Sequence, residues 1–130
     1  MAGRQVRRHY CCVAGRILIV DDSPPFRAVA AELLTVRGFE VLDEAADGEQ
    51  ALAAVAGSRP DGILLDVNLP GPDGYAVAAS LAAACAGIRI VLTSADVDHV
   101  PAEVLKTCAA IAFVAKHELA VTDLSTLFSG

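Results

Sequence analysis

The chain has no tryptophan, one methionine and only six tyrosine and phenylalanine residues in 130. Positive charge is also scarce. Ten Lys and Arg face sixteen Asp and Glu, a formal net charge of −6, which argues against a nucleic-acid surface because phosphate contacts need clustered cations. No run of about 18 apolar residues occurs, and the basic start with Arg4, Arg7 and Arg8 lacks the apolar stretch of a signal peptide; a cytoplasmic protein with no membrane insertion is expected. The four cysteines, Cys11, Cys12, Cys85 and Cys108, form no C-x-x-C pair and no Cys/His ligand spacing, which excludes structural zinc. Cys85 and Cys108 lie in apolar stretches and read as small core residues. No G-x-G-x-x-G and no phosphate loop ending in Gly-Lys-Ser/Thr is present, so nucleotide binding of those kinds is excluded.

Apolar residues make up 55% of the chain, enough for one core in a chain of one domain's length. Residues 1–15 do not share the periodicity that follows and read as an N-terminal extension, with 16–130 as the folded domain. From Arg16 onward, short continuous apolar runs alternate with longer amphipathic ones, the pattern of a parallel sheet covered on both faces by helices. Five strands are expected: Ile17–Val20, Glu40–Glu44, Gly62–Leu65, Arg89–Leu92 and Ala112–Ala115. The first helix has Ser23 as N-cap and Pro24 at its first position. It carries Phe26, Val29, Ala30, Leu33 and Leu34 on one face and stops at Gly38. The second and third follow Asp47-Gly48 and Asp73-Gly74, the fourth spans Pro101 to Cys108, and the fifth carries Leu119, Leu124, Leu127 and Phe128. Right-handed crossovers turn five such units into a doubly wound α/β sheet, whose ligands sit beyond the carboxyl ends of the strands.

The polar residues at those ends are Asp21 and Asp22 after the first strand, Asp66 after the third, Thr93 and Ser94 after the fourth, and Lys116 after the fifth. Any one of them alone would pass for a helix cap. Together they bring three carboxylates to one sheet edge, where mutual repulsion is relieved by a hard divalent cation; Mg2+ suits a few carboxylates, waters and a phosphate. An ionised aspartate can attack phosphorus when the incoming oxygens are neutralised, a task for the cation and Lys116, with the Thr93 hydroxyl as hydrogen-bond donor.

Five short segments carry a family resemblance: Ile17-Leu18-Ile19-Val20-Asp21-Asp22-Ser23, Ala46-Asp47-Gly48-Glu49-Gln50-Ala51-Leu52, the stretch from Leu64-Leu65-Asp66-Val67-Asn68 through Leu69-Pro70-Gly71-Pro72-Asp73-Gly74, Leu92-Thr93-Ser94-Ala95, and Phe113-Val114-Ala115-Lys116. In this order and at these positions they resemble a response-regulator receiver domain over residues 16 to about 128. The resemblance implies a flavodoxin-like sheet of order 2-1-3-4-5. It implies that Asp66 takes a phosphoryl group from a phosphohistidine on a sensor histidine kinase or histidine phosphotransfer protein. Asp21, Asp22, Asp66 and the backbone carbonyl of Asn68 would hold Mg2+, and Lys116 would bind the phosphoryl oxygens. Thr93 and Phe113 would form the switch that reports phosphorylation to the face of helix four, strand five and helix five, a face open to an unknown downstream protein target or to a homodimer.

His117 follows Lys116 where family members often carry proline, which implies a looser loop, and the Asn68 and Ala95 side chains are expected to flank the phosphate. The chain stops after the fifth helix, so a stand-alone phosphorelay receiver that signals by protein contacts is expected, itself a phosphoacceptor and no enzyme. A phosphohydrolase with the same aspartyl chemistry needs an acid two residues after the nucleophile and a threonine two further on, and Asn68 and Pro70 stand there. Asp96-Val97-Asp98 fails the same test at Val100. A receiver-like adaptor that works without phosphorylation would normally have lost an acid, the threonine or the lysine, and all are retained.

Overall fold

The computed structural model describes residues 15–71, 73–97 and 99–129, so the proposed extension lies outside the described residues except for Gly15. The strands are β1 (Arg16–Val20), β2 (Glu40–Ala45), β3 (Gly62–Asp66), β4 (Arg89–Ser94) and β5 (Ala112–Ala115). They pair in parallel throughout, in the order β2-β1-β3-β4-β5, the flavodoxin-like arrangement. The helices are α1 (Pro24–Val36), α2 (Gly48–Ser58), α3 (Gly74–Ala84), α4 (Ala102–Cys108) and α5 (Leu124–Ser129).

Period-two alternation along each strand divides the core into two layers. Leu18, Val20, Ile63, Leu65, Ile90 and Leu92 pack under α2, α3 and the end of α4 through Val55, Val77, Leu81 and Cys108. Ile17, Ile19, Leu64 and Val91 face the other way, against Ala30 and Leu34 of α1 and Leu124 and Phe128 of α5. Both faces of the sheet are thus buried, which is why β1, β3 and β4 read as unbroken Val/Ile/Leu runs.

Three helix starts follow the sequence signals. Ser23, Asp47 and Asp73 are N-caps whose side chains accept from the backbone N–H groups of Phe26, Gln50 and Ala76, satisfying donors that the first turn leaves free. At α2 the Gln50 side chain returns the favour by accepting from Ala46 N at 2.8 Å. Val29 departs from expectation, being 64% exposed while Ala30 and Leu34 of the same helix are buried. Cys108 is buried and Cys85 half-buried, and both are free thiols.

The fifth helix differs most. A 3-10 helix, Lys116–Val121, precedes α5, so Leu119 and Leu124, expected on one helix, belong to two elements and still bury into one layer. Arg37, at the C-cap of α1, donates through Nη1 to the Thr122 carbonyl and through Nη2 to the Ala120 carbonyl. The segment expected as a loop after Lys116 is helical from Lys116 itself and is bonded to the end of α1 through Arg37.

Gly74 sets how closely α3 approaches the end of β3. A Cβ there would lie 2.3 Å from Val67 Cα and 2.6 Å from the Asp66 carbonyl oxygen, distances that require the backbone to move. Gly74→Ala is expected to destabilise by about 1–3 kcal/mol, read as a lower urea midpoint with unchanged slope. Gly57 in α2 has nothing within 4 Å of the same position, and Gly57→Ala should instead add roughly 0.5–1 kcal/mol.

Candidate functional site

Strand pairing places the candidate groups side by side. Asp66 is the last residue of β3 and registers with Thr93 of β4, so Asp66, Thr93 and Ser94 lie within the strands rather than just after them. The sheet continues past the apolar runs because backbone ladders do not depend on side-chain polarity. β1 ends beside them at Val20, and Asp21 N donates to the Ala45 carbonyl at 2.9 Å. Arg27 Nη1 holds the Asp21 carbonyl at 2.5 Å.

Side-chain oxygens of Asp21, Asp22 and Asp66 all lie within 4.8 Å of one another. Asp21 is fully buried and Asp66 is 4% exposed, whereas Asp22 is open to solvent. Lys116 Nζ stands 2.7 Å from Asp21 Oδ2 and 3.6 Å from Asp66 Oδ2. The closer contact is an ion pair without hydrogen-bond alignment. The same ammonium lies 4.1 Å from the centre of the Phe26 ring, a cation–π contact that screens it from water. Phe26 was expected only as a core-facing residue of the first helix; its approach to Lys116 depends on the pairing of distant elements and leaves no local signal in the sequence.

Asp66 Oδ1 accepts from Asn68 N at 3.0 Å, and Asp21 Oδ1 accepts from Ser23 N at 2.8 Å. Burial raises the Asp66 pKa above the ordinary carboxylate value, the Asn68 N–H pulls it down, Asp21 raises it, Lys116 lowers it and Asp22 raises it, with a net rise. Burial and like charge prevail over the one ammonium. Thr93 is fully buried and its Oγ1 has no hydrogen-bond partner. An unsatisfied hydroxyl of that kind is costly unless something brings it a partner.

Three converging carboxylates, with the proton affinity of Asp66 raised, suit a hard, oxygen-seeking dication, and the exposure of Asp22 leaves room for waters on it, as Mg2+ prefers. The residues present fit that ion. Phe113 is half-buried and packs against the same layer as Leu105 and Ala110, next to Leu92 in the strand register. His117 and Ala95 are exposed and, with Pro25, Phe26, Val29 and Lys116, line a depression of about 480 Å³. The Asn68 carboxamide is not aimed at Asp66. It is bonded to Ser94 and Asp96. A second groove, about 570 Å³ between α2 and α3 and walled by Leu52, Pro70 and Val77, contains none of these charged groups, so the chemistry is assigned to the carboxylates. Among the described residues no helix is long and apolar enough to cross a membrane.

Comparison with known proteins agrees with this geometry. The family model for the response regulator receiver domain matches residues 17–126. The transcriptional regulatory protein TcrA of Mycobacterium tuberculosis is 48% identical over 81 residues, covering 62% of this chain and 32% of that protein. The chain spans about a third of the length of the first curated relatives it matches. A two-component response regulator of the LuxR family from Aurantimonas superposes with a TM-score of 0.73 at 29% identity, covering 86% of this chain and 80% of that one. The CheX–CheY–BeF3–Mg2+ complex from Borrelia burgdorferi gives a TM-score of 0.67 at 28% identity, covering 77% and 76%. By its family match, its sheet order and its paired acids, the chain belongs to the response regulator receiver domains.

Proposed function

We propose that Asp66 accepts a phosphoryl group from a phosphohistidine on a sensor histidine kinase or histidine phosphotransfer protein. The observation that carries this reading is a buried carboxylate with a lysine ammonium 3.6 Å away on one side and an unpartnered, buried threonine hydroxyl on the neighbouring strand. That is a nucleophile with a cation and a donor already in place. The Asn68 N–H engages Oδ1 and leaves Oδ2, on the lysine side, to attack phosphorus. As the O–P bond forms, the P–N bond to the donor imidazole breaks and the imidazole takes up a proton from solvent. Lys116 neutralises the transferred oxygens, and the Thr93 hydroxyl turns to donate to one of them.

Asp21, Asp22, Asp66 and the Asn68 carbonyl would hold Mg2+, which would supply positive charge to offset that of the incoming phosphoryl group. Thr93 and Phe113 then carry the change to α4, β5 and α5, where a downstream protein or a second copy of the chain reads it. Residues 16–130 act as the receiver unit in this reading, in the cytoplasm beside the phosphodonor. The test is labelling by acetyl phosphate with Mg2+: wild type should take up an acid-labile, hydroxylamine-labile phosphoryl group, and Asp66→Asn should not. Equal labelling of the two would remove Asp66 from the reading. Binding of the same partners with equal strength with and without phosphorylation would favour an adaptor instead.

A further inference from the structure

Two loops at the site are fastened to each other through one carboxamide. Asn68 lies on the segment leaving β3 and Asp96 on the segment leaving β4. Asn68 Nδ2 donates to Ser94 Oγ at 3.0 Å and to Asp96 Oδ2 at 2.9 Å, which commits both of its hydrogens. Ser94 Oγ also accepts from Asp96 N at 3.0 Å and Val97 N at 3.4 Å, so the β4 end is folded into a turn that presents Asp96. The main chain of Asn68 meanwhile donates to Asp66 Oδ1 at 3.0 Å. One residue therefore has its side chain held by the second loop and its backbone on the carboxylate.

We infer that Asp96 is a positioning residue, fastening Asn68 so that its N–H stays on Asp66 Oδ1 and its backbone, whose carbonyl is the proposed fourth cation ligand, keeps one conformation beside the carboxylates. The inference rests on the phosphoacceptor reading and deepens it, since Asp96 touches no reacting atom. Asn68 and Asp96 are both exposed, and an asparagine on an exposed loop samples several backbone and side-chain states unless held. A hydrogen bond to an ionised acceptor is about twice as strong as one between neutral groups, so the carboxylate is the stronger of its two anchors. Ser94 is fully buried and cannot be changed without disturbing the strand. Asp96 can.

The experiment uses the full chain as wild type, Asp96→Ala and Asp96→Asn. Mg2+ binding is followed by amide resonances during titration, and phosphorylation by acetyl phosphate is measured across the same Mg2+ range. Asp96→Ala should raise the half-saturating Mg2+ concentration by roughly threefold to tenfold in both measurements, with the rate at saturating Mg2+ within about twofold of wild type. Asp96→Asn keeps an acceptor oxygen but loses the charge that strengthens the bond, and its half-saturating Mg2+ concentration should fall between those of wild type and Asp96→Ala. Wild-type behaviour of Asp96→Ala would overturn the inference. Equal impairment of both variants would overturn it too, because charge near the site and not the bond would be responsible. Labelling of Asp66→Asn as strong as wild type would overturn the phosphoacceptor reading by itself, with the Mg2+ titrations still deciding for or against the fastening.

Discussion

Asp66→Asn should abolish phosphoryl uptake and, in the absence of divalent cations, raise the melting temperature at neutral pH. Both follow from one environment. Burial and the charges of Asp21 and Asp22 raise the Asp66 pKa against the pull of Asn68 N–H and Lys116, so the folded protein holds that proton more tightly than the unfolded chain does. A raised folded pKa contributes stability that is present below the unfolded value, about 4 for aspartate, and is lost as pH rises through the folded value. As the pH rises through the folded value, wild type takes on the cost of an ionised Asp66. The asparagine variant bears none, and its Oδ1 still accepts from Asn68 N. Above the folded pKa the variant should melt at a higher temperature than wild type, and the gap should shrink toward zero as the pH falls past 4. Mg2+ should narrow the gap from the other side. At ten times its dissociation constant it adds about 1.4 kcal/mol to wild type and less to the variant, which lacks one ligand. A variant that melts below wild type at pH 7 without Mg2+ would contradict the raised pKa.

The sheet and most of the site were legible because burial on both faces leaves uninterrupted apolar runs, and the polar residues that end those runs are the site. Asp21, Asp66 and Lys116 could be placed on one edge from chain order alone, since every parallel strand exposes its carboxyl end on the same side. Strand ends were less legible. Asp66, Thr93 and Ser94 are polar yet remain in the ladder, because backbone pairing carries them past the point where the hydrophobic signal stops.

Side-chain reach across elements was not legible at all. Arg37 binds carbonyls beyond residue 119, Phe26 meets Lys116, and Asp96 takes the Asn68 carboxamide. Each joins segments whose separation in sequence carries no period. The 3-10 helix after Lys116 escaped notice for a related reason. Leu119 belongs to an apolar stretch that runs on into Leu124, Leu127 and Phe128, and only the change of turn at Thr122 and Asp123 separates the two helices. The result bears on function: Lys116 is the first residue of a helical turn anchored to α1, so the ammonium is presented by fixed backbone without a proline behind it.

That placement makes Lys116→Met the second large test. Methionine keeps the unbranched stem against Phe26 and removes the charge. In wild type the ammonium faces Asp21 Oδ2 at 2.7 Å and Asp66 Oδ2 at 3.6 Å, and both carboxylates are buried. Deleting it leaves two buried anions held by single backbone N–H donors from Ser23 and Asn68. Loss of one partner of a wholly buried pair costs about 3–5 kcal/mol; the lysine side chain is 18% exposed, so a cost of about 1–3 kcal/mol is expected here. Mg2+ should restore a larger share of stability to this variant than it adds to wild type, because it supplies the missing positive charge. The rate should not recover with it. A donor aimed at the charge that develops in the transition state is worth about 10²–10³ in rate, and the ammonium occupies the Oδ2 side from which attack occurs. At saturating Mg2+, labelling of Lys116→Met by acetyl phosphate should therefore be at least about 100-fold slower than wild type, while its melting temperature approaches the wild-type value. Full recovery of both would make Lys116 an electrostatic prop for Asp21. Recovery of stability alone would make it a participant in the transfer to Asp66.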